Sequence, residues 1–352
     1  MKYRTQDEGG DLFAFIEHQK KAKESQRSTG VGRLAKVIDW EGFRSDLEEI
    51  LGYATRDDSR GGRPPFDPVF MFKVLVLQKF HGLSDAAVEE QIADRFSFMS
   101  FLGLRPGDAI PDANTVWDFR EALECDGRKG SERLFARFGE MLEAQGLVGH
   151  EGSIVDASFV DAPRQRNTRD QNKSINKGER PIEFDSDTPK GRQKDCDARW
   201  AQKNNETHFG YKNHAKVDAK SKLIIGSVTT SANVHDSQAF QDLVDETDNA
   251  VFADSAYQSE ESERYVLEEC DCEEFIMFKG HRGHPLTEEE KATNTLRSRI
   301  RVRVEHVFGR MSQMGMDTVR TIGLKRGTQH NTLSNLVYNM DRSAFLRSRA
   351  AK

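Results

Sequence analysis

The stretch SIVDASFV (residues 153–160) decides the fold, because the periodicity of the chain changes there. Before it, apolar residues recur at helical spacing. The stretch itself is a short, mostly apolar run, which predicts a β-strand. Within it lies Asp156, and a carboxylate is costly among apolar neighbours unless it is paired or exposed at a site. We therefore expect helices upstream, a sheet downstream and a functional carboxylate in the first strand.

Downstream of this strand, strands and helices alternate. Strands are predicted at 206–217, 223–230, 250–253 and 275–278, and helices at 236–246, 260–269 and 288–311. This order is typical of an α/β domain with a mixed sheet, which we place at 148–345. The segment 162–205 is strongly polar and cannot bury much surface, so it is predicted to be a mobile insert.

Upstream of the strand, residues 40–147 predict a helical domain. Helices are expected at 67–80, at 86–98, after residues 111–112 and at 134–147. Asp67 is suited to cap the first of them, with Pro68 in its first turn, and Trp117 is expected in the core. Short helices with tight turns are compatible with a helix-turn-helix-like DNA reader. Residues 1–39 are predicted to be a flexible arm and residues 346–352 a basic tail.

Composition excludes several classes of protein. Of 352 residues, 36% are hydrophobic, and no apolar run approaches the roughly 18 residues that a membrane span needs. The N-terminus lacks the apolar stretch of a secretory signal. Four cysteines are too few for a disulfide scaffold. We therefore expect a cytoplasmic protein with reduced thiols and no membrane partner.

Charge is distributed unevenly along a chain whose net charge is −6. Residues 291–352 contain 13 Lys and Arg against 3 Asp and Glu, whereas residues 241–274 contain 1 basic and 13 acidic residues. Such asymmetry indicates an anionic partner for the C-terminal region. A solvated basic helix face would give the same counts, so charge alone leaves both interpretations open.

Three carboxylates stand out by position. Asp156 lies in the first strand, Asp254 follows the strand 250–253, and Glu305 lies in a helix among arginines. Ligands bind at the carboxyl ends of strands in open α/β sheets, although an isolated strand-end aspartate is often only a turn residue. Three convergent carboxylates suit Mg²⁺ or Mn²⁺. Two such ions can clamp the attacking and leaving oxygens of a phosphoryl transfer.

Seven blocks of the sequence together resemble one family. The blocks are GRPPFD (62–67), PDANTVWDFR (111–120), IVDAS (154–158), HFGYKNH (208–214), NVHDS (233–237), ADSAY (253–257) and RVRVEHVFG (301–309). As a set they resemble bacterial insertion-sequence transposases of the DDE type, specifically the insertion-sequence-five family. The resemblance implies an RNase H-like catalytic core with Asp156, Asp254 and Glu305 as its DDE triad. It also implies that the helical domain helps to bind transposon ends.

The same resemblance implies a reaction, cofactors and partners. The reaction is cleavage and strand transfer of double-stranded DNA, with two Mg²⁺ ions per site and Mn²⁺ as a substitute. The DNA partners are terminal inverted repeats and a target, and two ends imply a homodimer or larger assembly, associated with the bacterial nucleoid. The alternatives are a structure-selective nuclease on the same fold and a non-catalytic DNA-binding repressor.

Auxiliary positions around the predicted catalytic glutamate depart from the wider superfamily. Arg301 matches the superfamily's arginine, whereas the tyrosine position falls on Ser298 and the lysine position on Ser312. An unbroken helix puts these residues on one stripe at about 100° per residue, but Gly309 could end the helix early. Arg310 lies about 140° away from the glutamate and is not expected to replace the missing lysine.

Further residues are predicted to contact DNA. They come from the polar face of the strand 206–217 and from the basic C-terminal region: His208, Lys212, His214, Arg297, Arg299, Arg301, Arg303 and Arg326. The strand alternation puts the first three on one face, which suits phosphate contact but also a solvated hairpin. His235 is a candidate for orienting a reacting group, and Trp200 for stacking on an unpaired base.

Overall fold

A computed structural model describes residues 30–53, 64–105, 107–185, 187–203 and 205–350. Residues 1–29, which are most of the predicted arm, and part of the block 62–67 lie outside the described residues. The chain divides into two compact units between Cys125 and Asp126. No helix in the described part of the chain is long and apolar enough to cross a membrane.

The N-terminal unit is built of helices. They are α1 (Gly30–Val37), α2 (Arg44–Leu51), α3 (Pro68–Phe80), α4 (Asp85–Asp94), α5 (Phe96–Leu102) and α6 (Ala113–Leu123). The side chains of Asp67 and Asp112 accept the N–H groups of Phe70 and Thr115 and so cap α3 and α6. The helix starts predicted at these two aspartates are confirmed.

Aromatic contacts and an ion pair between α4 and α6 join helices of this unit. Trp40 meets the rings of Phe72 and Phe101 edge-on, with centroids 6.1 and 5.5 Å apart. Arg120 of α6 forms a two-pronged pair with Asp85 of α4 at 2.6 and 2.8 Å, the geometry that a guanidinium and a carboxylate favour.

Three expectations for this unit were wrong. The predicted helix 86–98 is interrupted at Arg95, whose extended backbone separates α4 from α5. Residues Gly30–Val37 form a helix with Leu34 fully buried, so this part of the predicted arm is structured. Trp117 is 43% exposed, because it lies on the outer face of α6 while Val116 and Phe119 face the core.

The C-terminal unit combines a mixed sheet with helices. Its elements are α7 (Gly130–Ala144), β1 (Ser153–Asp161), α8 (Arg169–Asn176), β2 (Arg199–Lys203), β3 (Glu206–Asp218), β4 (Ile224–Ser231), β5 (Ala250–Ala253), α9 (Glu260–Arg264), β6 (Glu273–Ile276), α10 (Glu288–Gln313) and α11 (Leu324–Ala350). Among the described residues, six strands form one sheet in the order β2-β3-β1-β5-β6, with β4 also paired to β3. Because β1 is antiparallel to β3 and parallel to β5, the predicted mixed α/β sheet is confirmed.

Helix α11 is absent from the sequence-based prediction, although it packs against β3, β4 and α7. Asparagines at every fourth position join it to the sheet. Asn331 donates to the Thr229 hydroxyl, and Asn335 exchanges hydrogen bonds with Asn213 at 2.8 and 3.2 Å. Asn339 bonds both the N–H and the carbonyl of Ile224. A buried helix face made partly of amides gives little hydrophobic periodicity.

Two boundaries differ from those expected. Helix α7 lies within the C-terminal unit and not within the predicted domain 40–147, because its apolar stripe (Leu134, Phe138 and Leu142) is buried in a helix that packs against α11. The predicted basic tail begins inside α11, which continues to Ala350.

The polar segment 162–205 has defined structure, contrary to the prediction of a mobile insert. It contains α8 and the edge strand β2, which pairs with β3. Basic side chains donate to carbonyls within it: Arg199 to Ile175 at 2.7 Å and Lys194 to Arg166 at 2.6 Å. Hydrogen bonds to charged groups therefore order a segment that buries little apolar surface.

The predicted helix 236–246 is reduced to one 3-10 turn at Asp236–Ala239. Beyond it, the N–H of Asp245 bonds the carboxylate of Asp248, and the N–H of Thr247 bonds the carboxylate of Asp245. Such local side-chain bonds to the backbone compete with a helix.

Candidate active site

Asp156 and Asp254 lie on adjacent parallel strands. Val155 of β1 is in register with Ala253 of β5; the next residues are Asp156, which lies within β1, and Asp254, which directly follows β5. Asp156 is 8% exposed. Burial raises the pKa of Asp156 to about 6, against the N–H of Ala157 and the charge of Arg301, which favour its carboxylate. Asp254 accepts the N–H of Ala256 at 2.7 Å, which holds its side chain at the strand end.

Arg301 links the third carboxylate to the first. It lies on α10 one turn before Glu305, and its two terminal nitrogens bond different elements. Nη1 is 3.0 Å from Oδ2 of Asp156, and Nη2 is 3.0 Å from Oε1 of Glu305. The Nε atom of Arg301 is buried and has no hydrogen-bond partner among the described residues. The Arg301 guanidinium thus bonds Asp156 of β1 and Glu305 of α10 at the same time, and the two carboxylates share one positive charge.

The donor set has the chemistry of a divalent metal site. Asp156, Asp254 and Glu305 offer carboxylate oxygens, which Mg²⁺ and Mn²⁺ prefer. Within the described residues, no three His, Cys, Asp or Glu side chains are already arranged around a metal position. The Arg301 guanidinium bonds two of the three carboxylates, those of Asp156 and Glu305. The residues therefore fit a metal ion on condition that Arg301 releases at least one of them.

Tyr257 is a residue of this site that sequence reasoning missed. Its side chain is fully buried, and its hydroxyl has no hydrogen-bond partner within the described chain. Burial raises the pKa of Tyr257 well above its ordinary value, and the charges of Asp156, Asp236 and Asp254 add to the shift. The only sequence signal was its place in the block 253–257, three residues after Asp254.

The polar face of β3 is turned inward, contrary to its predicted role in DNA contact. Lys212 bonds Asp236 at 2.7 Å, and Lys216 is 2.7 Å from Asp248. His214 is fully buried, with Nε2 2.8 Å from the Thr230 hydroxyl. All three side chains have partners within the protein. The carboxylates that pair with the two lysines come from the chain segment between β4 and β5, and the partner of His214 lies on β4.

His208 of the same face and His235, which follows β4, also have partners within the protein. His208 stacks on the ring of Phe159 at 4.1 Å and lies 3.1 Å from Asp161. His235 lies at the surface, where its Nδ1 accepts the N–H of Ser237. That nitrogen caps the 3-10 turn Asp236–Ala239.

Acid should destabilise the protein through His214. Burial lowers the pKa of His214 from 6.5 to about 4, with Asp236 opposing and Lys212 adding to the shift. Because the folded-state pKa is the lower one, the unfolded chain takes up the proton first, and stability is lost as pH falls from 6.5 towards 4. Between pH 7 and pH 5, we expect the wild type to lose about 2 kcal/mol more than His214→Gln. Urea unfolding at both pH values measures this difference, and equal losses would show that His214 is protonated in the folded protein.

The predicted arginines have different surroundings. Arg297 donates to the carbonyl of Ile276, and its guanidinium lies 4.6 Å from the centroid of Phe278, so it is held inside the unit. Arg299 is exposed, and Arg303 is exposed while donating to the carbonyl of Ala219. Arg326 is half-buried in the first turn of α11, and Trp200 is 44% exposed on β2.

Helix α10 runs unbroken from Glu288 to Gln313, so that Gly309 does not end it. The predicted stripe is therefore continuous. Ser312 bonds the carboxylate of Asp317, and Arg310 pairs with Asp341 at 2.9 Å. The Arg310 side chain therefore pairs with a residue of α11, which agrees with the expectation that it does not replace the missing lysine.

A mixed sheet carrying two acidic residues on neighbouring parallel strands, crossed by a helix with a third, is the RNase H-like layout of enzymes that cut and join nucleic acid strands. The chain belongs to the DDE transposase family, since residues 148–340, more than half of it, match the family described as Transposase DDE domain. Residues 18–122 match a second family, described as Transposase domain (DUF772). No solved structure matches the chain at a significant level. The protein is thus a transposase, an enzyme of a family that acts on DNA and uses divalent metal ions.

Proposed function

We propose that the chain is the transposase of a bacterial insertion sequence of the insertion-sequence-five family. In this proposal it binds terminal inverted repeats and catalyses DNA cleavage and strand transfer. The observation that carries the proposal is the Arg301 bridge, which unites Asp156 and Glu305 next to the strand that leads to Asp254. The proposed site therefore combines Asp156 of β1, Asp254 directly after β5 and Glu305 of α10.

The carboxylates of Asp156, Asp254 and Glu305 would hold two Mg²⁺ ions, with Mn²⁺ as a substitute. Such ions activate a water or a 3′-hydroxyl and stabilise the leaving oxygen of an in-line transfer. The chain's own residues position the oxygen ligands. When no metal is bound, Arg301 offsets the charge of two of them, Asp156 and Glu305. A guanidinium released from the carboxylates can pair with a DNA phosphate through two parallel hydrogen bonds.

In this proposal α10 contacts the DNA backbone, and the N-terminal unit helps to bind the transposon ends. Phosphate contact is assigned to Arg299, Arg303 and Arg326 in addition to Arg301, whereas Lys212, His214 and Arg297 bond protein groups. Stacking on an unpaired base is assigned to Trp200, which is 44% exposed. Two transposon ends require at least a homodimer, and the reaction would take place at the bacterial nucleoid.

One experiment separates the proposed function from its alternatives. The protein is incubated with Mg²⁺, a DNA fragment ending in the inverted repeat and a target plasmid. Joined product supports the transposase, cleavage without joining indicates a structure-selective nuclease, and a shifted band without either indicates a DNA-binding repressor. Omission of Mg²⁺ is the control and should abolish both cleavage and joining.

Removing the Arg301 guanidinium should strengthen metal binding in the absence of DNA. Arg301→Met leaves Asp156 and Glu305 without their shared counter-charge, and one charge at about 4 Å is worth roughly 1–4 kcal/mol near a protein surface. We expect Mn²⁺ to bind at least about tenfold more tightly. The electron paramagnetic resonance signal of free Mn²⁺ measures the affinity without requiring activity.

The matched control for this variant is Lys291→Met, which removes a positive charge from the first turns of the same helix. Lys291 pairs with Glu288 at 2.8 Å and is exposed, so its loss should leave Mn²⁺ affinity unchanged. If Arg301→Met binds Mn²⁺ no better than Lys291→Met does, Arg301 and the metal do not share ligands.

A further inference from the structure

The turn between β3 and β4 gathers cationic side chains from two helices. Its backbone is fixed by Asp218, whose carboxylate accepts the N–H of Ser221 at 2.6 Å. Arg303 of α10 donates to the carbonyl of Ala219, and Arg342 of α11 donates to the carbonyl of Ser221, both at 2.7 Å. Two guanidiniums from different helices are therefore anchored at one turn.

Lys222, at the end of this turn, has an imidazole as its partner. Its ammonium lies 2.6 Å from Nδ1 of His306, so the ammonium donates and the neutral ring accepts. Burial and the charges of Arg342 and Arg303 lower the pKa of Lys222. We refer to Lys222, Arg303, His306 and Arg342 as the turn cluster.

The turn cluster forms no ion pair with a carboxylate of the described chain. The acidic groups nearby are engaged elsewhere. Asp341 pairs with Arg310 at 2.9 Å, and the exposed Glu151 pairs with Lys220. Lys222, Arg303 and Arg342 are positive charges held close together, and like charges repel one another, so an anion that joins them gains from each of the three.

The basic surface continues along the end of α11. The guanidiniums of Arg342 and Arg349 lie 5.0 and 5.6 Å from the ring centroid of Phe345. Stacking on a ring orients a guanidinium while leaving its N–H groups free to bond, and its planar fork matches the oxygens of a phosphate. Arg349, a residue of the expected basic tail, thus extends the same surface.

We propose that the turn cluster binds a phosphate of the DNA backbone at a site separate from the catalytic carboxylates. The inference rests on the proposed function, in which a duplex end lies across α10. In the register of β1 and β3, Asp156 faces Ala215 whereas Ser153 faces Asp218. Three residues of strand span about 10 Å, so a duplex held at Asp156 reaches the turn cluster with a neighbouring phosphate.

The test compares two lysines of the same turn. Lys222→Gln removes a charge of the turn cluster, and Lys220→Gln removes an equal charge that is paired with Glu151 outside it. The affinity for an inverted-repeat duplex is measured in EDTA from 50 to 300 mM salt. Each lost phosphate contact lowers the log–log slope by about 0.9, so we expect this loss for Lys222→Gln and no loss for Lys220→Gln.

A slope for Lys222→Gln equal to that of the wild type would overturn the inference. The hydrogen-bond partner of the Lys222 side chain is the exposed His306, so circular dichroism should show an unchanged fold for Lys222→Gln. A second arm measures the melting temperature in inorganic phosphate. If phosphate stabilises the wild type but not Lys222→Gln while the DNA slopes are equal, the site takes free phosphate and the DNA assignment is wrong.

The proposed function and this inference fail in different ways. A wild type that neither binds nor joins inverted-repeat DNA contradicts both. A wild type that joins DNA, but whose salt slope is insensitive to Lys222→Gln, contradicts the turn cluster alone. Adding Arg342→Gln to Lys222→Gln should lower the slope by about 1.8 in total, which an effect of one lysine on folding would not reproduce.

Discussion

Asp156→Asn, Asp254→Asn and Glu305→Gln are each expected to abolish metal-dependent cleavage of transposon ends. An amide has nearly the shape of a carboxylate but is a poor ligand for Mg²⁺. Losing a residue that merely supports a metal ligand costs about 10–100-fold, so losing a ligand should cost at least about 100-fold. Single-turnover cleavage of a labelled end measures the rate, and binding of the same DNA in EDTA should survive.

The control for these variants is Glu261→Gln, which makes the same chemical change on an exposed residue of α9 shortly after Asp254. Its cleavage rate should remain within a few-fold of the wild type. Near wild-type cleavage by any one of the three site variants would remove that residue from the proposed triad, while leaving the other two to be judged on their own rates.

Asp195→Ala is expected to cause a large loss in the free energy of unfolding. The carboxylate is 4% exposed and accepts the Tyr211 hydroxyl at 2.6 Å and the Gly323 N–H at 3.2 Å. It also accepts the N–H groups of Asp197 and Ala198, each at 2.9 Å. Alanine leaves these buried donors unsatisfied, at about 1–3 kcal/mol for each group that water cannot reach. We expect a loss of at least about 3 kcal/mol in urea unfolding.

Glu183→Ala is the matched control, because Glu183 is an exposed acidic residue of the same polar segment. Its free energy of unfolding should change by less than about 0.5 kcal/mol, as is usual for surface substitutions. A loss below about 1 kcal/mol in Asp195→Ala would mean that water replaces the carboxylate, and that the segment 162–205 is not anchored through it.

Local chemistry explains why much of the fold could be predicted. Strands β1 and β5 are short apolar runs, and α3 begins at an aspartate followed by proline, so neighbouring residues alone specify them. Helix α11 and the segment 162–205 could not be predicted in this way. The asparagines of α11 bond partners more than a hundred residues away, as for Asn335 with Asn213. Basic side chains of the segment 162–205 bond carbonyls within the segment.

The candidate site shows the same division. Asp156 and Asp254 could be singled out because each follows apolar strand residues, and the structure puts those strands side by side. The inward-facing side of β3 could not be predicted, because alternation shows which residues share a face but not what covers it. Lys216 alternates like a surface lysine and is nevertheless buried against Asp248.

Iron-directed cleavage of the polypeptide tests the central claim most directly, namely that Asp156, Asp254 and Glu305 hold divalent cations together. Fe²⁺ replaces Mg²⁺ at oxygen ligands, and with ascorbate and peroxide it cuts the backbone beside the residues that bind it. We expect cuts near residues 156, 254 and 305. Excess Mg²⁺ should suppress all three cuts, and Asp156→Asn should weaken all three. Mg²⁺-sensitive cuts at other positions, or a cut beside only one of the three, would contradict it.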